Sequence, residues 1–543
     1  MPRSSPSTSP ARADARVVEV VELDRETPGE GLPALDNRPN RWVILLGIVV
    51  LGMLGLSLLP AAEVQPNNLD GTLPDPAVAT TLVGSRQPRV AFINDDTFPM
   101  FVVSGLRGFL SLTEPVFFNE TWWIIGNRPD SLAAAEVLTS ADGRLWEASS
   151  EIAGSNGKSI RIDQLTVLDE SLLAVGTEGA AVGPTFYSAL SGNLSLWRSG
   201  DGEQWVPSVV DQGSPSLAFS EIRLVRSGPV TVLQAVAQST APFLAANRMP
   251  PEVMAGLVAG RFDLSTRGTL LVATGPLGIE IAQTRMAQVS LAPTMRVFRS
   301  DALAEWSPVE IPFNVTGDIV AAPSGGFVAS TGGVAYTSAY GVNWKPNRSA
   351  FDAMSYQHWG DRIIGSSVFG GSPTIDFIDS EGIQTIQLPP EMMLCSFKGS
   401  NTLLAGACAP EPTSVGPVEW NGVELDLDGT SLQLADPATS EIRRFRLNRA
   451  PGEYDEATDT ISLADSRSRR EAFPVDVLRQ LQPDSSIVRF ETMLSKDGLT
   501  WSRSQIALRA AELELLGGIG DGFLVGTRSS EPASTLTVLA ADF

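Results

Sequence analysis

Carboxylates are abundant, at 62 Asp and Glu, and leave acid–base pairs open, but the other groups that could carry catalysis are few. His358, in SYQHWGD, is the only histidine, so any Ser/His/Asp or Cys/His system would have to be built on it. No nucleophile-elbow motif lies near it, and a turn or core histidine is the expected role. One histidine and the two cysteines, Cys395 and Cys408, are too few ligands for zinc, and neither cysteine sits in a Cys-x-x-Cys arrangement. Glu424, Asp426 and Asp428 alternate in VELDLDG and so share one strand face. Such a face could offer oxygen ligands to Ca²⁺, but EF-hand spacing is absent, and a solvated face set against Arg444 and Arg446 is the simpler expectation. The basic SRSRR, from Ser466 to Arg470, reads as a solvated or ion-paired loop on an acidic background. No catalytic, cofactor-binding or metal-ligating residue is assigned, and no cofactor is expected.

The formal charge of the 543-residue chain is -23, with 39 Lys and Arg against 62 Asp and Glu. Phosphate recognition needs clustered Lys and Arg, so nucleic acid is excluded as a partner. Hydrophobic residues at 43%, with 49 Gly and 38 Pro, suit many short strands joined by turns. Trp42 to Leu59 read WVILLGIVVLGMLGLSLL, with no charge and only Ser57 polar. At about 1.5 Å per residue such a helix just crosses a hydrocarbon core of roughly 30 Å. A cleaved signal peptide is the alternative, but the apolar run is long for one and a charged, Pro-rich stretch precedes it. Arg38 and Arg41 before the span, against Glu63, Asp70 and Asp75 after it, place the N-terminus in the cytoplasm. The expected organisation is a disordered tail over 1–41, a transmembrane helix over 42–60, a stalk over 61–87 and an exported domain over 88–543.

That domain is built from a repeat. One unit recurs as SADGRLW (Ser140–Trp146), SGDGEQW (Ser199–Trp205), SDALAEW (Ser300–Trp306), SAYGVNW (Ser338–Trp344) and SKDGLTW (Ser495–Trp501). A weaker copy is DSEGIQT, from Asp379. Asp-Gly is a tight-turn pair, since Gly accepts positive φ and Asp bonds nearby amides, and the Trp is expected to anchor the hairpin in the core rather than bind a ligand. A second element, an apolar run ending near a small residue, occurs seven times: TWWIIGN from Thr121, SLLAVGT from Ser171, GPVTVLQAV from Gly228, GGFVAST from Gly325, DRIIGSS from Asp361, TLLAGAC from Thr402 and GFLVGTR from Gly522. Each reads as an inner strand buried on both faces.

These Ser-to-Trp units resemble the Asp-box, or BNR, repeat, in a form one residue shorter than the commonest one. The resemblance covers most of 88–543 and implies a β-propeller of the sialidase-like or sortilin-like kind, with the boxes as turn staples at the blade periphery. The copy at Ser300 lacks the Asp-Gly pair, and the copy at Ser338 has Tyr340 in place of Asp. Sialidases are similar to one another in an Arg triad, a Tyr/Glu pair and an FRIP-like motif. No FRIP occurs here, and the chain has only five tyrosines.

The fold class expected is all-β: a seven-bladed propeller after one transmembrane helix, with blades near 97–150, 158–212, 216–312, 314–348, 350–390, 392–505 and 508–543. The long third and sixth blades carry insertions at about 238–292 and 409–490. The first contains a short helix from Pro250; the second a hairpin across Asp428-Gly429, a strand from Ile442 and a helix near Pro474. Long loops on a rigid scaffold commonly hold binding residues, so both are candidate partner sites, with plain surface decoration as the alternative. PRVAFIN, from Pro88, is expected to supply the last strand and close the ring. Export permits a Cys395–Cys408 disulfide across the KGSN turn, although centring the hairpin on Ser400 leaves the two about three residues out of opposition. The function expected is a membrane-anchored binding or assembly module for an extracytoplasmic protein or glycan, with a sialidase-like glycoside hydrolase as the alternative.

Overall fold

The structure, a computed structural model, describes residues 91–542 apart from 94–99, 130–131, 185–188, 288–292, 313–317, 331–333, 348–354, 368–372, 380–381, 389–394, 409–415, 429, 448–450, 483–487, 509–511 and 529–535. The expected tail, transmembrane segment and stalk lie outside these residues. Among the described residues no helix is long and apolar enough to cross a membrane.

The described residues are nearly all β. Seven four-stranded antiparallel meanders follow one another along the chain. Meander I runs through Ser111–Leu112 with Val116–Phe118, then Thr121–Asn127, Ala134–Ser140 and Glu147–Ala153. Meander II contains Ser159–Leu168, Ser171–Val182, Ala189–Ser199 and Val206–Asp211. Meander III contains Leu217–Ser227, Val230–Ser239, Thr294–Ser300 and Ser307–Val309, and a single residue pair, Ser191 with Ala218, links it to II. Meander IV spans Ile319–Ala321 to Lys345–Asn347, and V spans Ser355–Trp359 to Gly382–Gln387. Meander VI pairs Cys395–Gly399, Leu404–Cys408, Val488–Ser495 and Thr500–Leu508. In VII, Glu512–Ile519, Gly522–Arg528 and Thr537–Asp542 are joined by Met100–Val102.

The seven apolar runs are the second strands of these meanders. A second strand has a hydrogen-bonded neighbour on each side and a sheet packed on each face, which is why Leu172 to Val175 and Val230 to Val236 are buried without interruption. Tight turns lead into several of them. Asn119-Glu120 and Asp169-Glu170 take φ of +49°/+61° and +49°/+54°, the left-handed pair of a two-residue hairpin turn, which Asn and Asp tolerate better than bulky residues.

Each meander packs on the next. Ile125 and Val137 meet Ile162 and Leu172 between I and II; Leu196 meets Phe219 and Leu233 between II and III; Val232 meets Ile319 and Phe327 between III and IV. Val328 meets Tyr356 and Ile363 between IV and V, Phe377 meets Leu404 and Trp501 between V and VI, and Leu494 meets Phe523 between VI and VII. Leu524 and Val538 of VII pack against Phe109 and Ile124 of I, so the circuit closes. Each fully buried aliphatic or aromatic side chain in these layers contributes about 1.5–3 kcal/mol.

Two expectations change. The strand that completes VII is Met100–Val102, paired antiparallel with Leu539–Ala541. Ala91–Ile93, from PRVAFIN, instead pairs parallel with Thr500–Ser502 on the outer edge of VI. It covers an edge that would otherwise stay open, as edge strands require, one sheet earlier than expected. Cys395 and Cys408 are directly opposed and disulfide-bonded, with Cα atoms 3.9 Å apart. The hairpin turns at Ser400–Leu403, where the Ser400 amide donates to the Leu403 carbonyl at 2.7 Å. Its centre is therefore later than Ser400, which removes the offset.

Candidate functional site

The repeated turns come first, because they fix what the ring offers. At Ser140, Ser199 and Ser495 the hydrogen bonds are the same. The glycine amide donates to the serine Oγ at 2.8 Å, and the next two amides donate to the aspartate Oδ1. The indole Nε1 donates to the glycine carbonyl at 3.0–3.1 Å. The amides of Arg144 and Leu145 hold the Asp142 carboxyl below its ordinary range, and those of Gln204 and Glu203 do the same for Asp201. In the copy at Ser300 the aspartate position holds Ala302: Ser300 Oγ and Trp306 Nε1 are buried without a hydrogen-bond partner among the described residues, and Leu303 takes the glycine position at φ +59°. The DSEGIQT segment of V is not such a turn, since Asp379 pairs directly with Gly382. In the turns at Ser140, Ser199 and Ser495 the serine, aspartate and indole groups are engaged in local structure.

The insertions are different. They leave III after Ser239 and VI after Cys408, 169 positions apart in sequence, and fold into one body with one core. Phe262, Leu271 and Ile279 of the first pack with Phe445, Ile461 and Phe473 of the second. The Gly452 amide donates to the Glu280 carbonyl at 2.7 Å, and Arg261 donates to Tyr454 Oη and Asp459 at 2.9 and 2.5 Å. Three small sheets, Asp263–Arg267 to Glu280–Arg285, Val418–Trp420 to Glu441–Arg446, and Glu453–Asp455 to Arg470–Pro474, surround that core. Helices form at Pro251–Val258 and Val475–Gln480, as the proline-led sequences predict. The two insertions expected at about 238–292 and 409–490 thus form one composite subdomain.

A polar cleft of about 300 Å³ opens on it, lined by Trp420, Asp436, Glu441, Arg443, Arg469 and Glu471 among others. Arg443 and Phe445 share the inward face of their strand, so the guanidinium is largely buried and must be paired. It donates to Glu471 at 2.6 Å and to Asp465 at 3.3 Å; Arg469 donates to the same Asp465 oxygen at 2.8 Å and to Glu441 at 2.8 Å. Burial works to raise the Asp465 pKa, but the Arg469 and Arg467 amides and the two guanidiniums outweigh it and bring it down to about 2. Arg443 Nη2 remains buried with no hydrogen-bond partner among the described residues. Trp420 leans on Phe473, centroids 5.5 Å apart. The cleft thus presents an indole beside fixed donors and acceptors.

Glu424, Asp426 and Asp428 are exposed, and the intervening strand Ser431–Asp436 separates them from Arg444 and Arg446. Asp428 accepts from Gln433 at 2.7 Å. Within SRSRR, Arg469 is ion-paired as above and Arg470 pairs with Glu453. His358 lies in neither a turn nor the core: it is exposed on Ser355–Trp359, the first strand of V. Surrounding protein depresses its pKa, against the opposing influence of Glu114, which is itself ion-paired to Lys398 at 2.5 Å. Three of the described tyrosines sit apart from one another. Tyr356 is fully buried, Tyr340 is exposed on a turn, and Tyr454 is tied to Arg261 and Asp459 inside the composite subdomain.

No protein-family model and no curated protein matches the sequence. Solved structures with a similar course of the chain include a Bombyx mori GH32 β-fructofuranosidase (10% identity, 86% of this chain and 96% of that one, TM-score 0.30). A streptogramin B lyase (8%, 69% and 98%, 0.31) and the phage phi92 endosialidase (8%, 85% and 71%, 0.24) are others. At these scores the likenesses decide neither the fold nor the chemistry.

Proposed function

We propose that the chain is a membrane-anchored, extracytoplasmic seven-bladed β-propeller of the Asp-box type that acts as a binding module for an extracellular glycan or protein. The seven meanders in a closed circuit support the propeller, with each meander as a blade. Residues 42–60 serve as the anchor, and the Cys395–Cys408 disulfide suits an oxidising compartment. The observation that carries the binding role is the composite subdomain. A preformed, polar, partly aromatic cleft stands on strands there, whereas the ring's own repeated polar groups are spent on turns.

Crosslinking the intact protein on whole cells, followed by mass spectrometry of the captured material, tests this reading. Recurrent capture of an extracytoplasmic protein or of a glycan is expected. Capture of cytoplasmic proteins alone, or turnover of a glycan by the purified protein, contradicts it.

A further inference from the structure

We infer that the cleft between Trp420, Arg443 and Arg469 binds a neutral, hydroxyl-rich sugar residue; the inference rests on the binding-module reading and names its ligand class. The volume, about 300 Å³, is that of about ten waters at ~30 Å³ each, which suits a small cyclic polyol rather than a folded loop of a protein partner. An indole offers a flat apolar face to the C–H face of a sugar ring while its surroundings stay wet.

The charges select among sugars. Arg443 and Arg469 are already matched to Glu471, Glu441 and the shared Asp465, and Asp436 adds a further carboxylate to the lining. An acidic sugar would have to displace a carboxylate from its guanidinium and sit among those that remain. A neutral hydroxyl needs neither: it donates to a carboxylate oxygen and accepts from a guanidinium N–H, and both kinds of group stand in fixed positions here. The positions are fixed because Arg443, Glu471 and Trp420 belong to strands, and Asp465 holds both guanidiniums from behind, receiving two backbone amides at 2.8 and 2.9 Å as well. Such preorganisation lowers the entropy lost on binding.

The test titrates the full-length protein, in a sugar-free detergent, with neutral gluco-, galacto- and manno-oligosaccharides, a uronic-acid oligosaccharide and an oligolysine peptide. At least one neutral oligosaccharide is expected to bind. Trp420→Ala is expected to weaken that binding at least tenfold, and Glu441→Gln, at a half-exposed site, severalfold. Because Trp420 also packs on Phe473, Trp420→Phe serves as a folded control and is expected to retain part of the affinity. Preferential binding of the uronic acid or of oligolysine, or binding of nothing, overturns the ligand class and leaves the binding module standing. Neutral-sugar binding that is indifferent to both Trp420→Ala and Glu441→Gln overturns the site. Hydrolysis of a bound oligosaccharide overturns the binding-module reading itself.

Discussion

The ring and the composite subdomain are both built from antiparallel hairpins, yet they close their turns with different chemistry. In the ring, serine and aspartate share the turn amides and a tryptophan locks it from the following strand. In the subdomain an Asp-x-x-Thr/Ser turn recurs. Asp436, Asp455 and Asp465 each accept the amide two residues on, at 2.8–3.0 Å, and Thr439 and Thr458 donate their hydroxyls back at 2.7 Å. The ring's staple therefore spends an aromatic side chain on structure. The three subdomain turns are closed without an aromatic side chain, and Trp420 lines a cleft.

That contrast can be strained in several ways. The largest effect is expected from emptying the two cores separately: Trp501→Ala, at a fully buried ring position, and Phe473→Ala, fully buried in the subdomain, should each cost about 3–5 kcal/mol. Denaturant unfolding followed by hydrogen exchange should locate the first loss in meanders V and VI and the second in 241–286 and 418–481. Uniform loss across both regions in either variant would mean that they are one cooperative body.

Reducing the Cys395–Cys408 bridge removes a closure of about 3 kcal/mol by chain entropy, at the residue where the second insertion departs. A fall in the melting temperature of meander VI is expected, with the subdomain's protection preserved. Equal loss in both would break the separation.

Acid should act on the subdomain. Asp465 has a folded pKa of about 2 against an ordinary 3.8, so its stabilisation is complete above pH 3.8 and is lost as pH falls toward 2. Pulsed hydrogen exchange should show 441–474 opening in that window, and Asp465→Asn should flatten the dependence. Protection that is the same at pH 5 and pH 2 would count against the hub.

The smallest effect sharpens the ring side. Ala302→Asp restores the missing acceptor for the amides at 304 and 305 and should add about 0.5–1.5 kcal/mol, read as a rise in melting temperature. Leu303 then remains the only departure from a full Asp-Gly pair in that turn, held at φ +59° while its side chain packs beside Leu224 and Leu233.

How much of this could be read from the sequence depends on how local its cause is. The Ser-to-Trp turns were legible because each is closed within seven residues, and the second strands because burial on both faces leaves a continuous apolar run. The closing strand was misassigned because PRVAFIN and PMFVVSG are equally short and apolar, and only packing decides which edge each covers. The composite subdomain was hidden because Phe262 and Phe473 meet across 210 residues of sequence that carry no shared pattern. Two signals did exist: Arg443 in register with Phe445 and Leu447, and Asp465 in register with Ile461 and Leu463. A charge on the inward side of an alternating strand needs a partner, and these two proved to be each other's.

The two insertions are expected to stand or fall together, apart from the ring. Replacing 241–286 with a short Gly-Ser linker and following hydrogen exchange over the whole chain tests it most directly. The amides of 418–481 are predicted to lose protection while those of 121–199 keep theirs. Retained protection over 418–481 would contradict the account, since the second insertion would then fold on its own.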